Sequence, residues 1–320
     1  MTCEPLGFKS VDSIGYTMLM NELEINLKYW FDWSFLKIGA WNDVQVNTAG
    51  AYGGDVSQLR PVEDPNPEYS NGQVWEACRK DWIWENGISY TNPFTNTEFF
   101  PESILVYING VGASSPYIVN YPQGQIIFDD PISTTSEVKA QYSSRGIQVS
   151  IADDSDWWNQ LQYKSFNVED SFFLQIDKGN WTIGSEQRVQ MPAIIIESVP
   201  STKSRGYQIG DGSLWVQQDV YCHVIAEDRR QRNRIMDILL RQQDKTIQLF
   251  NSDDISRDNA FPLDYRGTKV DGSHYYPFLA AQYPYSLCRF SSTSSFKIES
   301  INPKLFNGIV KMTCEVALDE

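Results

Sequence analysis

The chain has 320 residues, 41% of them hydrophobic and 13% aromatic, and a formal net charge of -15 at pH 7. That is enough apolar side chain to build a true core, in one large domain or two to three small ones. The acidic balance argues against gripping nucleic-acid phosphates, which takes clustered Lys and Arg, and against docking on an anionic membrane.

In chain order, the first predicted element is an amphipathic helix from Met18 to Ile38, with Leu23, Leu27, Trp30, Phe31, Ser34 and Ile38 at helical spacing and Gly39 as its C-cap. Residues 42–96 are broken by Gly, Pro, Asn and Ser and carry Trp75, Trp82 and Trp84; they read as a loop excursion ordered against a neighbour. Residues 99–142 read as a compact β module. Ile104, Val106 and Ile108 alternate up to the turn pair Asn109-Gly110; runs at Tyr117 and Val119, at Gln125 to Phe128, and at Val138, Ala140 and Tyr142 follow. Ile147, Val149 and Ile151 alternate again. The stretch 154–188 is aromatic and polar, with Trp157 and Trp158, and Ala193 to Ile196 is an apolar run of strand length between Pro192 and Pro200.

The segment 214–250 carries the clearest pattern. Leu214, Val216, Val220, Cys222 and Val224 point one way at period two, and Trp215, Gln217, Asp219, Tyr221 and His223 point the other. Glu227-Asp228 then caps a helix over Arg229 to Gln243 with an inner stripe of Ile235, Ile238 and Leu239, and Thr246 to Phe250 follows as a strand. Asn251 to Arg266 read as a polar loop, and Pro, Tyr and Phe recur up to about Tyr285. Phe296 to Ile298 is a short strand candidate, and Asn307-Gly308 reads as a turn before an alternating strand from Val310 to Leu318.

Candidate chemistry is thin. His223 and His274 have no Cys or carboxylate partner at ligand spacing, and Gly206 to Gly212 is Gly-rich without the Lys-Ser/Thr of a phosphate loop; it reads as a hairpin loop. Cys3, Cys78, Cys222, Cys288 and Cys314 are scattered without a CxxC pair, which predicts reduced thiols in a cytoplasmic setting. The expected site residues are therefore none for catalysis, none for a metal, and no cofactor. No run approaches the roughly 18 apolar residues of a bilayer span, and the N-terminus lacks signal-peptide features. Asp153, Asp154 and Asp156 beside Trp157 and Trp158 fit a sugar site or a turn that pins an insert, and the turn is preferred. Arg229, Arg230, Arg232, Arg234 and Arg241 cluster on one helix of an acidic chain; they are expected on its flanks and outside, as a solvated face, as an oligomer interface against acidic surface of a neighbour, or as a DNA contact, and the interface is the sharper expectation. Trp75, Trp82, Trp84, Trp157 and Trp158 are expected to dock partners.

Two resemblances follow from these residues. The wording from Val106 to Val111 and from Tyr117 to Asp129 resembles small β inserts that decorate phage virion proteins. Trp215, Asp219 and Val220, followed by Ala226, Glu227, Asp228, Arg229, Arg232, Asn233 and Ile235, resemble the tail-terminator family of long-tailed phages. That family implies an α+β fold: a core of mixed β-sheet packed with two helices, here with an inserted all-β module and extended loops. The expected division is 1–45 (N-terminal helix of the core), 46–98 (aromatic excursion), 99–146 (β insert), 147–250 (core) and 251–320 (C-terminal extension). Family members are commonly about half this length, so the exact station stays open between terminator, stopper and another neck ring. The family implies a hexameric ring that contacts tail tube or sheath and neck or connector proteins. DNA passes through it without specific binding, in a virion assembled in the host cytoplasm. The competing expectation is a carbohydrate-binding tail or baseplate protein with a β adhesion module; a glycan hydrolase is third.

Overall fold

The computed structural model describes residues 19–50, 53–63, 67–158, 161, 174–177, 180–183, 187–199, 203–206, 214–272, 275–302 and 304–318. It is a mixed α+β fold, mostly sheet with few helices. The first helix, α1, runs Leu19–Lys37 and buries Leu23, Leu27, Trp30, Phe31, Phe35 and Leu36. Gly39, at φ +79, ends it as expected: the Gly39 N–H donates to Leu36 O and the Ala40 N–H to Phe35 O, so the last carbonyls are satisfied in a Schellman arrangement. Ile38 lies past the helix end and is half exposed, so the buried residues of α1 end at Leu36.

Ten strands then form one module: β1 (Trp41–Val44), β2 (Arg60–Pro61), β3 (Val74–Glu76), β4 (Tyr90–Thr91), β5 (Glu98–Phe99), β6 (Leu105–Ile108), β7 (Val111–Gly112), β8 (Tyr117–Asn120), β9 (Gln125–Phe128) and β10 (Val138–Arg145). Two four-stranded sheets, β1-β10-β6-β7 and β2-β3-β9-β8, share a single core. Val44, Leu59, Trp75 and Trp82 pack there with Val106, Ile126, Phe128, Val138, Ala140 and Tyr142. This corrects the expected division at residue 98. The excursion does not wait for a neighbour, because Trp75 and Trp82 fill the interior that the β insert alone would leave open. Trp82 stacks on Tyr142 with ring centroids 4.3 Å apart. The polar tips are satisfied: Trp75 Nε1 donates to Gly72 O, Trp82 Nε1 to Arg79 O, and Tyr142 Oη to Val56 O. The Asn109-Gly110 turn forms as expected, with φ of 51 and 78.

The main sheet takes β11 (Gln148–Ile151), β15 (Ala193–Ser198), β16 (Lys203–Gly206), β17 (Leu214–Ala226), β18 (Thr246–Phe250), β19 (Pro284–Asn302) and β20 (Leu305–Leu318); β12 (Leu174–Asp177), β13 (Asn180–Ile183) and β14 (Gln187–Gln190) form a separate small sheet. Its order is β11-β15-β17-β20-β19-β18, with β16 beside β17. Among the described residues of the main sheet, β11 and β15 pair in parallel and the other pairs are antiparallel. The helix α2 (Arg229–Leu240) follows β17; of two short helices, α3 (Ser252–Arg257) lies in the loop expected over 251–266 and α4 (Tyr276–Gln282) in the aromatic stretch after it. The C-terminal residues are no appendage, since β20 lies between β17 and β19 and pairs with β17 from Leu214↔Leu318 to Ala226↔Phe306. Asn307 and Gly308 sit inside β20, where a Cβ on Gly308 would meet Met236 Sδ at 2.3 Å; the glycine admits α2 and does not make a turn.

One core unites α1, α2, α4 and the sheet: Leu27, Trp30 and Phe31 meet Val220, Cys222 and Val224 of β17, Val310, Met312 and Cys314 of β20, and Ile235 and Leu239 of α2. Each such fully buried large side chain contributes about 1.5–3 kcal/mol. The alternation expected along β17 holds for Val216, Val220, Cys222 and Val224, but the opposite face is not open throughout: His223 and Ile225 are buried there. Burial pushes the Cys222 thiol up to about 12. A polar clasp adds direction. Asn26 Nδ2 donates to Phe250 O while the Phe250 N–H donates to Asn26 Oδ1, and the Ser252 N–H and Oγ–H both donate to the buried Glu22 carboxylate.

The module leaves and rejoins the chain through the paired Trp41 and Arg145. Deleting 99–142 is therefore expected to unfold the rest of the module and expose Trp75 and Trp82. Excising 42–144 across a short Gly-Ser turn should leave the β17 amides protected. Amide exchange reports both; amides of β2 and β3 that stay protected in the 99–142 deletion would contradict the shared core.

Candidate assembly surface and a buried charge cluster

Burial settles the expected docking aromatics. Trp75, Trp82, Trp84, Trp157 and Trp158 are all buried within the chain, and Trp84 also lines a surface groove of the module. Trp157 and Trp158 pack with Ala152, Leu161, Ala193, Ile195 and Ile225 beneath the other face of the sheet, and pin the turn that holds Asp153, Asp154 and Asp156. The three carboxylates themselves are exposed. His223 lies under Trp158, ring centroids 4.6 Å apart, with Nε2 2.7 Å from Glu197 Oε2. That pairing, between neighbours on β15 and β17, draws Glu197 below the usual carboxylate range. His274 and Cys3 lie outside the described residues.

The arginine helix divides. Asp228 is its N-cap residue by backbone geometry but makes no side-chain cap bond. Arg232 corrects the expectation: it is buried, and its guanidinium donates to Asn307 O and Asn233 Oδ1. Burial, then the nearby Arg229, lowers its pKa. Arg229 is exposed but lies over the Phe306 ring, 4.9 Å from its centroid. Arg230, Arg234 and Arg241 remain exposed. At about 100° per residue they fall within about 40° of one another, on the side away from buried Ile235, Met236 and Leu239, with Asp237 in the same stripe. Among the described residues none of these three arginines makes an ion pair.

A second feature was not foreseen. Arg145, the last residue of β10, is buried where α1, the module and β11 meet. Its Nη2 donates to Glu85 Oε1 at 2.5 Å and its Nη1 to Trp82 O at 3.0 Å, while Nε lies 3.6 Å from Asp32 Oδ1 of α1. A cavity of about 170 Å³ adjoins them, lined also by Lys28, Asp81 and Gln148. Among the described residues, Arg145 Nε, Asp32 Oδ1 and Gln148 Nε2 are buried without a hydrogen-bond partner. Burial pushes Asp32 up to about 7, against the pull of Arg145. Burial raises Asp81 as well. In Arg145 the carboxylates of Glu85, Asp32 and Asp81 outweigh the opposite effect of burial and raise its pKa. The cluster joins the module to α1, and its sequence signal is a carboxylate inside the aromatic run Trp30-Phe31-Asp32-Trp33.

On the module surface two adjoining cavities, of about 450 and 460 Å³, share Asn86, Tyr117, Val119 and Tyr121. No described helix is long and apolar enough to cross a membrane. No protein-family model matches the chain, and no curated protein matches it.

Because the folded state holds the Asp32 proton more tightly than the unfolded chain does, this group contributes stability below its ordinary value of 3.8 and loses it as pH rises to about 7. Raised Glu22, Glu24 and Asp81 act in the same direction. Asp32→Asn is expected to flatten the fall of unfolding free energy over that window by up to about 1.4 kcal/mol per pH unit. Urea denaturation at several pH values measures it; an unchanged slope would contradict the assignment.

Proposed function

We propose that the chain is a structural subunit of a bacteriophage tail or neck, closing into a homo-oligomeric, six-fold ring that ends tail-tube growth and joins the tail to the head connector. The observation that carries this reading is the outward ridge of Arg230, Arg234 and Arg241 on a chain of net charge -15. Like-charged subunits repel when they close into a ring, and arginines at the contact relieve that repulsion with bidentate geometry. The element order lends further support. A helix, a strand flanked by prolines, a long strand, the arginine helix and a further strand follow one another as the tail-terminator resemblance implies, with both long helices packed into one core. In this reading the core is tail-terminator-like and the β module is an addition to it. The work is mechanical and topological: subunits stop polymerisation, offer a docking face, and let DNA through a central hole, and no bond is made or broken. Head-to-tail contacts that close suit such a part.

A second reading, glycan binding by the module, is favoured by the groove lined by Asn86, Tyr117 and Tyr121. Polar and aromatic groups in a concavity of this size suit a small ligand. Sedimentation and electron imaging of the purified protein separate the two. The ring reading expects a discrete oligomer with a central hole; a monomer at all concentrations that binds immobilised oligosaccharides would support the second reading instead.

A further inference from the structure

In the ring reading, on which this inference rests, each subunit presents two surfaces that meet. The basic ridge on α2 is one. The helix lies over β17, β19 and β20, and its C-terminal end is held to β19 by the Thr293 Oγ1 bond to Leu240 O at 2.7 Å. Arg230, Arg234 and Arg241 therefore project from a fixed helix, exposed, with no described carboxylate paired to them.

The other surface must be negative, rigid and on a different side of the subunit. The turn after β11 meets all three conditions. Asp153, Asp154 and Asp156 are exposed, while the residues between and after them are anchored: Ser155 is buried and its Oγ donates to Ile151 O at 2.8 Å, and Trp157 and Trp158 are buried beneath the sheet. β11 is the margin strand of the sheet order, whereas α2 packs over β17, β20 and β19. Within one chain no ion pair links ridge and turn among the described residues. The negative potential at the turn is also felt locally. Burial raises Glu24 in α1, the hydrogen bonds from Ser198 oppose this, and Asp153 and Asp154 add to the rise.

We propose that copies of this chain associate head to tail, with the Arg230, Arg234 and Arg241 ridge of one copy seated against the Asp153, Asp154 and Asp156 turn of the next. Each subunit then uses one face of each sign, the contact is heterologous, and it can close into a ring. Opposite charges facing across the contact fix its register and deter like-to-like pairing. The association weakens as salt screens it.

Two variants test the pairing: Arg230→Glu with Arg234→Glu, and Asp153→Lys with Asp154→Lys. All four positions are exposed, and thermal melts compare the folds with wild type. By sedimentation, wild type is expected to associate and each double variant to lose association by tenfold or more, since its two faces then carry like charge. Mixed one to one, the variants should associate again, because each ridge now meets an opposite turn. If both variants associate like wild type, or if neither does and the mixture stays monomeric, the pairing is overturned while self-assembly stands. A wild-type chain that is monomeric at every concentration overturns the ring reading and the pairing together.

Discussion

The pairing of β17 with β20 is the constraint on which the rest depends. It joins residues 214–226 to 305–318, and its inward positions match apolar to apolar: Val216 with Val316, Val220 with Met312, Cys222 with Val310. Because the side-chain period is two, a slip of one residue would turn Val220, Cys222 and Val224 away from α1 and bring Asp219 and Tyr221 into the core. The same register sets Gly308 under α2, so the ladder also decides how closely the arginine helix approaches the sheet. With α2 fixed by Ile235, Met236 and Leu239, the positions of its outward arginines follow.

Charge placement in the interior follows a different logic. Arg145 with Asp32 and Glu85, and Glu22 with Ser252, are buried polar contacts at junctions: module to α1 in the first case, α1 to the start of α3 in the second. Burying such groups contributes little net stability and costs heavily when one partner is removed. Their effect is to fix relative position, since an ionised group has few acceptable places in a low-dielectric interior. The aromatic core of the module, with Trp82 on Tyr142, supplies the packing that these charges do not.

Local features were legible in the sequence. Asn109-Gly110 announces its turn, Gly39 its helix end, and the alternation through Val220, Cys222 and Val224 its strand, because each depends on neighbours in sequence. What depended on distant pairing was not. Val310 to Leu318 reads as a strand, yet nothing local says that it lies beside β17. The tryptophans were misplaced because composition marks an aromatic as anchor material without saying whether it fills its own core or another chain's. Arg232 was within reach: it precedes Ile235 by three residues and Met236 by four, the spacing of one helix face. Arg145 was not, since its partner Asp32 lies more than a hundred positions away in a different element.

These placements leave the surface of α2 as the part of the chain whose chemistry is least answered within it. Three arginines stand outward without described ion pairs, on a molecule that is otherwise strongly acidic. The claim that this face is covered in the assembled protein is tested most directly by arginine-specific chemical footprinting, read by mass spectrometry in dilute and in associated samples. The account predicts that Arg230, Arg234 and Arg241 lose reactivity on association while exposed Arg257, on α3, keeps it. Equal reactivity of the three in both samples would contradict it.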